Sequence, residues 1–266
     1  KDMDARGVNY YSPADPDAKM MKAREGKIPA YNVQSAVDSE HGMIASLKVC
    51  DSPVDQQQLK AMVDQVERDI GFAPEIVSAD KGYHNPDMIE DVEQNEKTMC
   101  AIPAPVSSRD KEEIEFQYDE EADEYLCSQG KRLVLLSRNK KKRNSIANVY
   151  QGKECDGCSL RSVCTTSKIG RIIHRYQNQE WRDRYRGRLQ TRAIKALINK
   201  RKTIVEHPFG TIRAWMGKTQ LHLRGRPKVQ IEMDLYGSVY NLRRLMNLVS
   251  VDVLSEMIHG YDWKMA

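Results

Sequence analysis

One carboxylate stands almost alone in a basic stretch of this chain. Between Lys168 and Lys228 there are 17 Lys and Arg against three acids, Glu180, Asp183 and Glu206. Glu206 lies in Val205-Glu206-His207-Pro208-Phe209-Gly210-Thr211-Ile212-Arg213. An acid in such surroundings has two uses: it neutralises an Arg, or it holds a metal ion against a polyanion. A second acid, Asp80, closes the run Glu75-Ile76-Val77-Ser78-Ala79-Asp80. The carboxyl end of a strand in an α/β sheet is where ligands bind. Two such acids suit phosphoryl transfer on nucleic acid, in which hard divalent cations clamp the attacking and leaving oxygens. Mg²⁺ takes carboxylate oxygens and keeps several waters, so few protein ligands suffice. Nearby Lys and Arg would hold the phosphate backbone.

The cysteines form a third constellation. Cys155-Asp156-Gly157-Cys158 followed by Cys164 gives Cys-x2-Cys-x5-Cys, with Cys127 upstream as a fourth thiolate and His174 as its alternative. Four soft ligands suit a closed, structural Zn²⁺ site. Free buried thiols are the competing reading. Cys50 and Cys100 fall in apolar strands and are expected as small core residues.

The elements that must position these residues follow from periodicity. Ala18 to Lys22 suggests a short helix with Asp15 or Asp17 as its cap. Tyr31, Val33, Ser35 and Val37 alternate with Asn32, Gln34 and Ala36, and Met43 to Val49 returns after the turn Asp38 to Gly42, which predicts a hairpin. Gln57 to Ile70 has helical spacing and Gly71 marks its stop. The Asp80 strand, a helix from Pro86 to about Asn95 and a strand at Met99 to Ile102 come next. Segments Glu115 to Leu126, Leu133 to Leu136 and Ile146 to Tyr150 read as β. From Gln177 the chain turns helical, with a boundary or kink expected at His207-Pro208. Ile231, Leu235, Val239, Leu242, Leu245 and Leu248 mark a long final helix. Trp181 and Trp215 are expected in packing ahead of base stacking, and Asn241 to Arg244 as the polar edge of that helix. The expected division is 1–102, a β-rich insertion at 103–176 that would bind zinc, and a helical return at 177–266.

Composition sets the bounds. Of 266 residues, 40% are apolar and 30% charged, which excludes global disorder. The net charge of +4 is unevenly spread. Asp110 to Glu124 holds nine acids and one Lys, whereas Arg138 to Arg143 and Lys168 to Lys228 are basic, an asymmetry that favours a nucleic-acid surface. No apolar run nears the ~18 residues of a membrane span. The polar start Lys1-Asp2-Met3-Asp4 is no signal peptide. A reducing cytoplasm is the expected compartment.

Three ordered motifs resemble the DDE transposases of bacterial insertion sequences, in the branch with a cysteine-rich insertion. They are Tyr31-Asn32-Val33-Gln34-Ser35-Ala36-Val37-Asp38, then Ala79-Asp80-Lys81-Gly82-Tyr83, then Val205 to Arg213. Lys202-x3-Glu206-x6-Arg213 is similar to that family's basic-x3-Glu-x6-basic signature, and Ala30 departs from the Gly that often precedes the Tyr. Asp15-Pro16-Asp17-Ala18 and the four cysteines also look like that branch. The resemblance covers about residues 5 to 250. It implies an α/β, ribonuclease H-like mixed sheet with flanking helices, and an insertion before the helix that carries the Glu. It implies Asp80 and Glu206 as the second and third catalytic acids, both on Mg²⁺ (or Mn²⁺). Lys81, Arg201, Lys202 and Arg213 would contact DNA phosphates, at element ends and at target DNA, with self-association on the DNA, in a nucleoid-associated bacterial protein. The family's first Asp lies on a strand upstream of the hairpin, so it is expected to be absent from this chain, with Asp38 as a poor stand-in at a turn. A catalytically incomplete DNA-binding remnant and a nuclease without strand transfer are the alternatives.

Overall fold

The first structured segment departs from its expected helix. Lys19–Ala23 is a strand, β1, paired antiparallel with Gly26–Ala30, β2, from Lys19↔Ala30 to Ala23↔Gly26. So short a segment offers little more than one helical turn, for which nucleation is unfavourable, and the ladder satisfies its backbone instead. Asp15 and Asp17 cap a distant helix, the one that begins at Arg226. Asp17 Oδ2 accepts the Arg226 N–H at 2.9 Å, and Asp15 Oδ1 accepts the Gly225 N–H at 3.2 Å.

The expected hairpin forms. Asn32–Val37 (β3) pairs antiparallel with Ile44–Cys50 (β4), from Asn32↔Cys50 to Val37↔Ile44. Asp38 serves the turn, accepting the backbone N–H groups of Glu40 and His41. Burial works to raise its pKa, but the N–H groups of His41 and Glu40 outweigh it and hold the carboxyl below its usual range. Leu59–Ile70 (α1) buries Leu59, Met62, Val63 and Val66, and Gly71 ends it in the left-handed conformation. Ile76–Ser78 (β5), a 3₁₀ turn at Lys81–Tyr83, Pro86–Glu93 (α2) and Met99–Ala101 (β6) follow, with β5 and β6 parallel. Cys50 and Cys100 are buried.

The middle of the chain is a five-stranded antiparallel sheet. Phe116–Asp119 (β7), Glu124–Cys127 (β8), Arg132–Lys142 (β9), Ser145–Gly152 (β10) and Ile172–Tyr176 (β11) lie in the order β11-β10-β9-β8-β7. Arg161–Cys164 (α3) precedes β11, and Gln179–Leu189 (α4) follows it. On this sheet Tyr125, Leu133 and Tyr150 form a buried cluster. Asp123 accepts hydroxyls from Tyr150 and Tyr118 and pairs with Arg138 at 2.7 Å. The Tyr150 hydrogen bond does most to hold its pKa below the usual range; burial opposes it, and Tyr118 and Arg138 add to the lowering. Because the folded pKa is depressed, the stabilisation is fully present above the unfolded value of about 3.9 and is lost as pH falls through the folded value. Acid unfolding followed by tyrosine near-UV circular dichroism is expected to lose part of its pH dependence below about pH 4 in Asp123→Asn.

The last three helices are Arg192–Trp215 (α5), Arg226–Leu248 (α6) and Val251–Gly260 (α7). Pro208 does not break α5: it sits inside the helix and is buried, as is Ile212. On α6 the buried stripe is Val229, Met233, Gly237 and Tyr240, whereas Ile231, Leu235, Val239, Leu242 and Leu248 are exposed. Val229 and Met233 pack with Val49 of β4, and Tyr240 packs with Ile44 and Ile212. Full burial of one apolar side chain stabilises by roughly 1.5–3 kcal/mol. Polar side chains finish the joint. Asn241 bonds both the N–H and the C=O of Ile44, Gln230 does the same for Val49 N–H and Leu47 C=O, and Arg244 reaches the His41 carbonyl at 3.0 Å. The Asn241–Arg244 edge is therefore a clamp on the hairpin.

The computed structural model describes residues 12–23, 26–50, 52–105, 114–142, 145–215, 217 and 220–260. The polar start at 1–4, Asp51, Arg143 and the part of the acidic run at 110–113 lie outside them. Two compact units result, one from 1–103 with 191–266, the other from 104–190. The architecture is α/β. Among the described residues the β3–β4 and β5–β6 ladders belong to separate sheets. No helix among the described residues is long and apolar enough to cross a membrane.

Candidate functional site

The first unit places Asp80 just beyond β5, where it caps the 3₁₀ turn: its Oδ1 accepts the Gly82 N–H at 2.7 Å. Asp80 and Lys81 are exposed. Gly82 lies close to two carboxylates. A Cβ there would lie 2.8 Å from Asp80 Oδ1 and 3.4 Å from Asp55 Oδ2. Two carboxylates thus border the same point, and only one of them was expected.

Behind the turn lies a polar cluster built from the hairpin. Tyr31, just before β3, and Val33 on it pack against Val49, Val229 and Met233, while Asn32 and Gln34 take the other face. Gln34 is 3% exposed. Its Nε2 donates to Asp55 Oδ1 at 2.8 Å and to Asn32 Oδ1 at 2.7 Å, and its Oε1 accepts the Tyr83 hydroxyl. Asn32 Nδ2 donates to Asp55 Oδ1 at 2.8 Å and to the Ser52 carbonyl at 3.0 Å. Tyr83, half-buried, is therefore tied to the hairpin. Burial pushes its phenol pKa up, and the charges of Asp55 and Asp80 push it further, while Arg201 on α5 pulls it partly back.

Helix α5 packs on β3, β5 and β6. Because it is continuous, Lys202, Glu206 and Arg213, spaced by four and seven residues, share one stripe. All three are exposed. Among the described residues no ion pair or hydrogen bond engages Glu206, so it does not neutralise an arginine there. His207, next to it, has Nδ1 2.9 Å from the Tyr240 hydroxyl, which donates to the Gly42 carbonyl. Arg201 has a buried Nε with no hydrogen-bond partner among the described residues. Trp215 is 67% exposed, against the expectation of packing, and the Arg243 guanidinium lies 3.6 Å from its ring centroid. Trp181 stacks on Tyr185.

In the second unit Cys127, Cys155, Cys158 and Cys164 line one cavity. Burial raises the Cys164 thiol pKa; Arg171 lowers it, and Cys155, Cys127 and Cys158 raise it again, as neighbours would. The Lys131 N–H stands 3.3 Å from Cys127 Sγ and the Arg171 N–H 3.4 Å from Cys155 Sγ. Gly157, at φ +74°, turns the chain between Cys155 and Cys158. His174 pairs with Val149 in the sheet, and burial, then Lys142 and Lys140, lower its pKa. Among the described residues no three His, Cys, Asp or Glu side chains stand in a metal-holding arrangement, here or at Asp80.

Asn32, Gln34 and Asp55 escaped assignment to the site. The signal for the first two is polar residues in alternation with an apolar strand face; Asp55 carries none, since its partners lie more than 20 residues away in the chain. No curated protein and no solved structure matches the chain. Residues 126–246, which include Glu206 and all four clustered cysteines but not Asp80, match the family model of the transposase DDE domain, and this match supports a DDE transposase.

Proposed function

We propose that the protein cleaves DNA at the ends of an insertion sequence and joins the freed 3′-hydroxyls to target DNA. The observation that carries this reading is the uninterrupted helix α5, with Lys202, Glu206 and Arg213 on one exposed stripe while the helix rests on β5, the strand that leads to Asp80. Hairpin, helix, strand, helix and parallel strand in this order support a ribonuclease H-like architecture. Asp80 and Glu206 offer hard oxygens and fit Mg²⁺ or Mn²⁺, ions that keep waters and need few protein ligands. A cation held there would stabilise charge on the attacking and leaving oxygens. Lys81, Lys202 and Arg213, exposed, and the half-exposed Arg201 would bind phosphates by charge-assisted hydrogen bonds. In the second unit, N–H groups directed at Cys127 and Cys155 Sγ suit thiolates, and Cys127, Cys155, Cys158 and Cys164 would hold a structural Zn²⁺.

The test is incubation of the protein, expressed from its full reading frame, with duplex DNA carrying the element's terminal sequence. New 3′-hydroxyl ends followed by covalently joined products, both dependent on Mg²⁺ or Mn²⁺, are expected. Cleavage that never leads to joining would restrict the protein to a nuclease, and binding with neither product would leave only a DNA-binding role.

A further inference from the structure

The half-buried polar cluster behind Asp80, with the buried Gln34 at its centre, has a use that packing alone does not require. Gln34 is fully committed: its acceptor takes the Tyr83 hydroxyl, and its donors serve Asp55 and Asn32. Those partners leave one orientation for its amide. The Asn32 amide is fixed in the same way, with Nδ2 spanning Asp55 and Ser52 and Oδ1 accepting from Gln34. Asp55 Oδ1 thus receives two N–H donors, while its Oδ2 faces the point over Gly82 that Asp80 Oδ1 also borders. The exposed Asp80 opens a turn of three residues whose far end is Tyr83. The turn is therefore pinned twice, at its start by the Asp80–Gly82 bond and at its end by Tyr83 on the buried Gln34.

We propose that Gln34, Asp55 and Tyr83 are positioning residues for Asp80: a chain of hydrogen bonds running from the hairpin through Gln34 holds the turn that aims its carboxylate. The inference rests on the reading of Asp80 as a catalytic acid. Asp55 acts in it as an acceptor of two N–H groups. Its charge takes no part, so an amide of the same shape can replace it. A carboxylate set about 1 Å out of place costs about a hundredfold in rate, and loss of a partner that orients a ligand costs about 10–100-fold.

The experiment compares Asp55→Ala, Asp55→Asn and Tyr83→Phe in the protein expressed from its full reading frame, with single-turnover DNA cleavage at saturating DNA, DNA affinity and thermal melting as readouts. Asp55→Ala and Tyr83→Phe are expected to slow cleavage about 10–100-fold, with DNA affinity within about twofold of the parent. Asp55→Asn is expected to restore the rate to within about threefold, because it keeps the acceptor. Tyr83→Phe removes a single oxygen and keeps the test valid should Asp55→Ala fail to fold. Unchanged rates in Asp55→Ala or in Tyr83→Phe overturn the proposal. So does an Asp55→Asn protein that melts like the parent yet is as slow as Asp55→Ala, since the charge would then do the work. Asp80→Asn separates the two levels. If it cleaves at the parent rate, the functional reading itself fails; if it is inactive while the relay variants are unimpaired, the relay alone fails.

Discussion

Glu206→Gln is expected to slow metal-dependent DNA cleavage by about 10²–10³-fold, the range for losing one group that stabilises transition-state charge. Few substitutions at this site are as easy to interpret. Glu206 is exposed and, among the described residues, has no hydrogen bond or ion pair to lose, so the change in stability should stay within about 0.5 kcal/mol. Gln keeps the size and removes the charge. DNA affinity should hold or rise slightly, because an anion beside Lys202 and Arg213 opposes phosphate. Lys202→Ala is the contrasting control: it should weaken binding about uniformly across DNA sequences and flatten the salt dependence, with the rate at saturating DNA retained. Parent-level cleavage by a well-folded Glu206→Gln protein would remove Glu206 from the chemistry. A shared loss of affinity in both variants would make it part of the binding surface instead.

The parts of the site that local pattern could reveal are those whose partners are close in the chain. Period-two alternation exposed β3 and β4, helical spacing exposed α1, and Gly71 its end, because each depends on neighbours within a few residues. Where distant contacts decide, local signals misled. Pro208 signals a break, yet it is buried within α5, and the His207–Tyr240 contact ties that helix to α6. The Leu and Ile stripe of α6 revealed a helix but not its buried side, since the hairpin meets Val229, Met233 and Tyr240, and the gap at Gly237 admits Leu47. Lys19–Ala23 has helical composition and takes its strand conformation from β2. Asp55 is the strongest case. Nothing near it in the chain singles it out, and it becomes part of the site only through Asn32, Gln34 and the turn at Gly82. Local pattern therefore singles out the exposed acids Asp80 and Glu206 and passes over Asn32, Gln34 and Asp55, whose bonds reach across the chain.

Removal of the proposed zinc is expected to have the largest effect on stability, and the second unit is where it should appear. Cys127 ends β8, Cys155 and Cys158 follow β10, and Cys164 ends the short helix α3, so one ion would tie the segment after β10 to the end of β8. The aromatic cluster of Tyr118, Tyr125 and Tyr150 packs against Cys127, but the loop from 153 to 171 has little apolar burial of its own: Val163 and Ile169 are both exposed. Structural zinc contributes an apparent 10–16 kcal/mol in small domains at neutral pH, which is more than such a loop can recover by packing. One zinc per chain should be found in purified protein. A strong chelator should lower amide protection through β8 to β10 by at least about a hundredfold, with β3 and β4 spared. Cys158→Ser should behave as the chelated parent does. Thiolate binding also releases protons, so zinc should be lost as pH falls. Metal-free protein with unaltered amide protection, and with all four thiols freely reactive, would sink the zinc assignment and leave the cavity as a cluster of ordinary half-buried thiols.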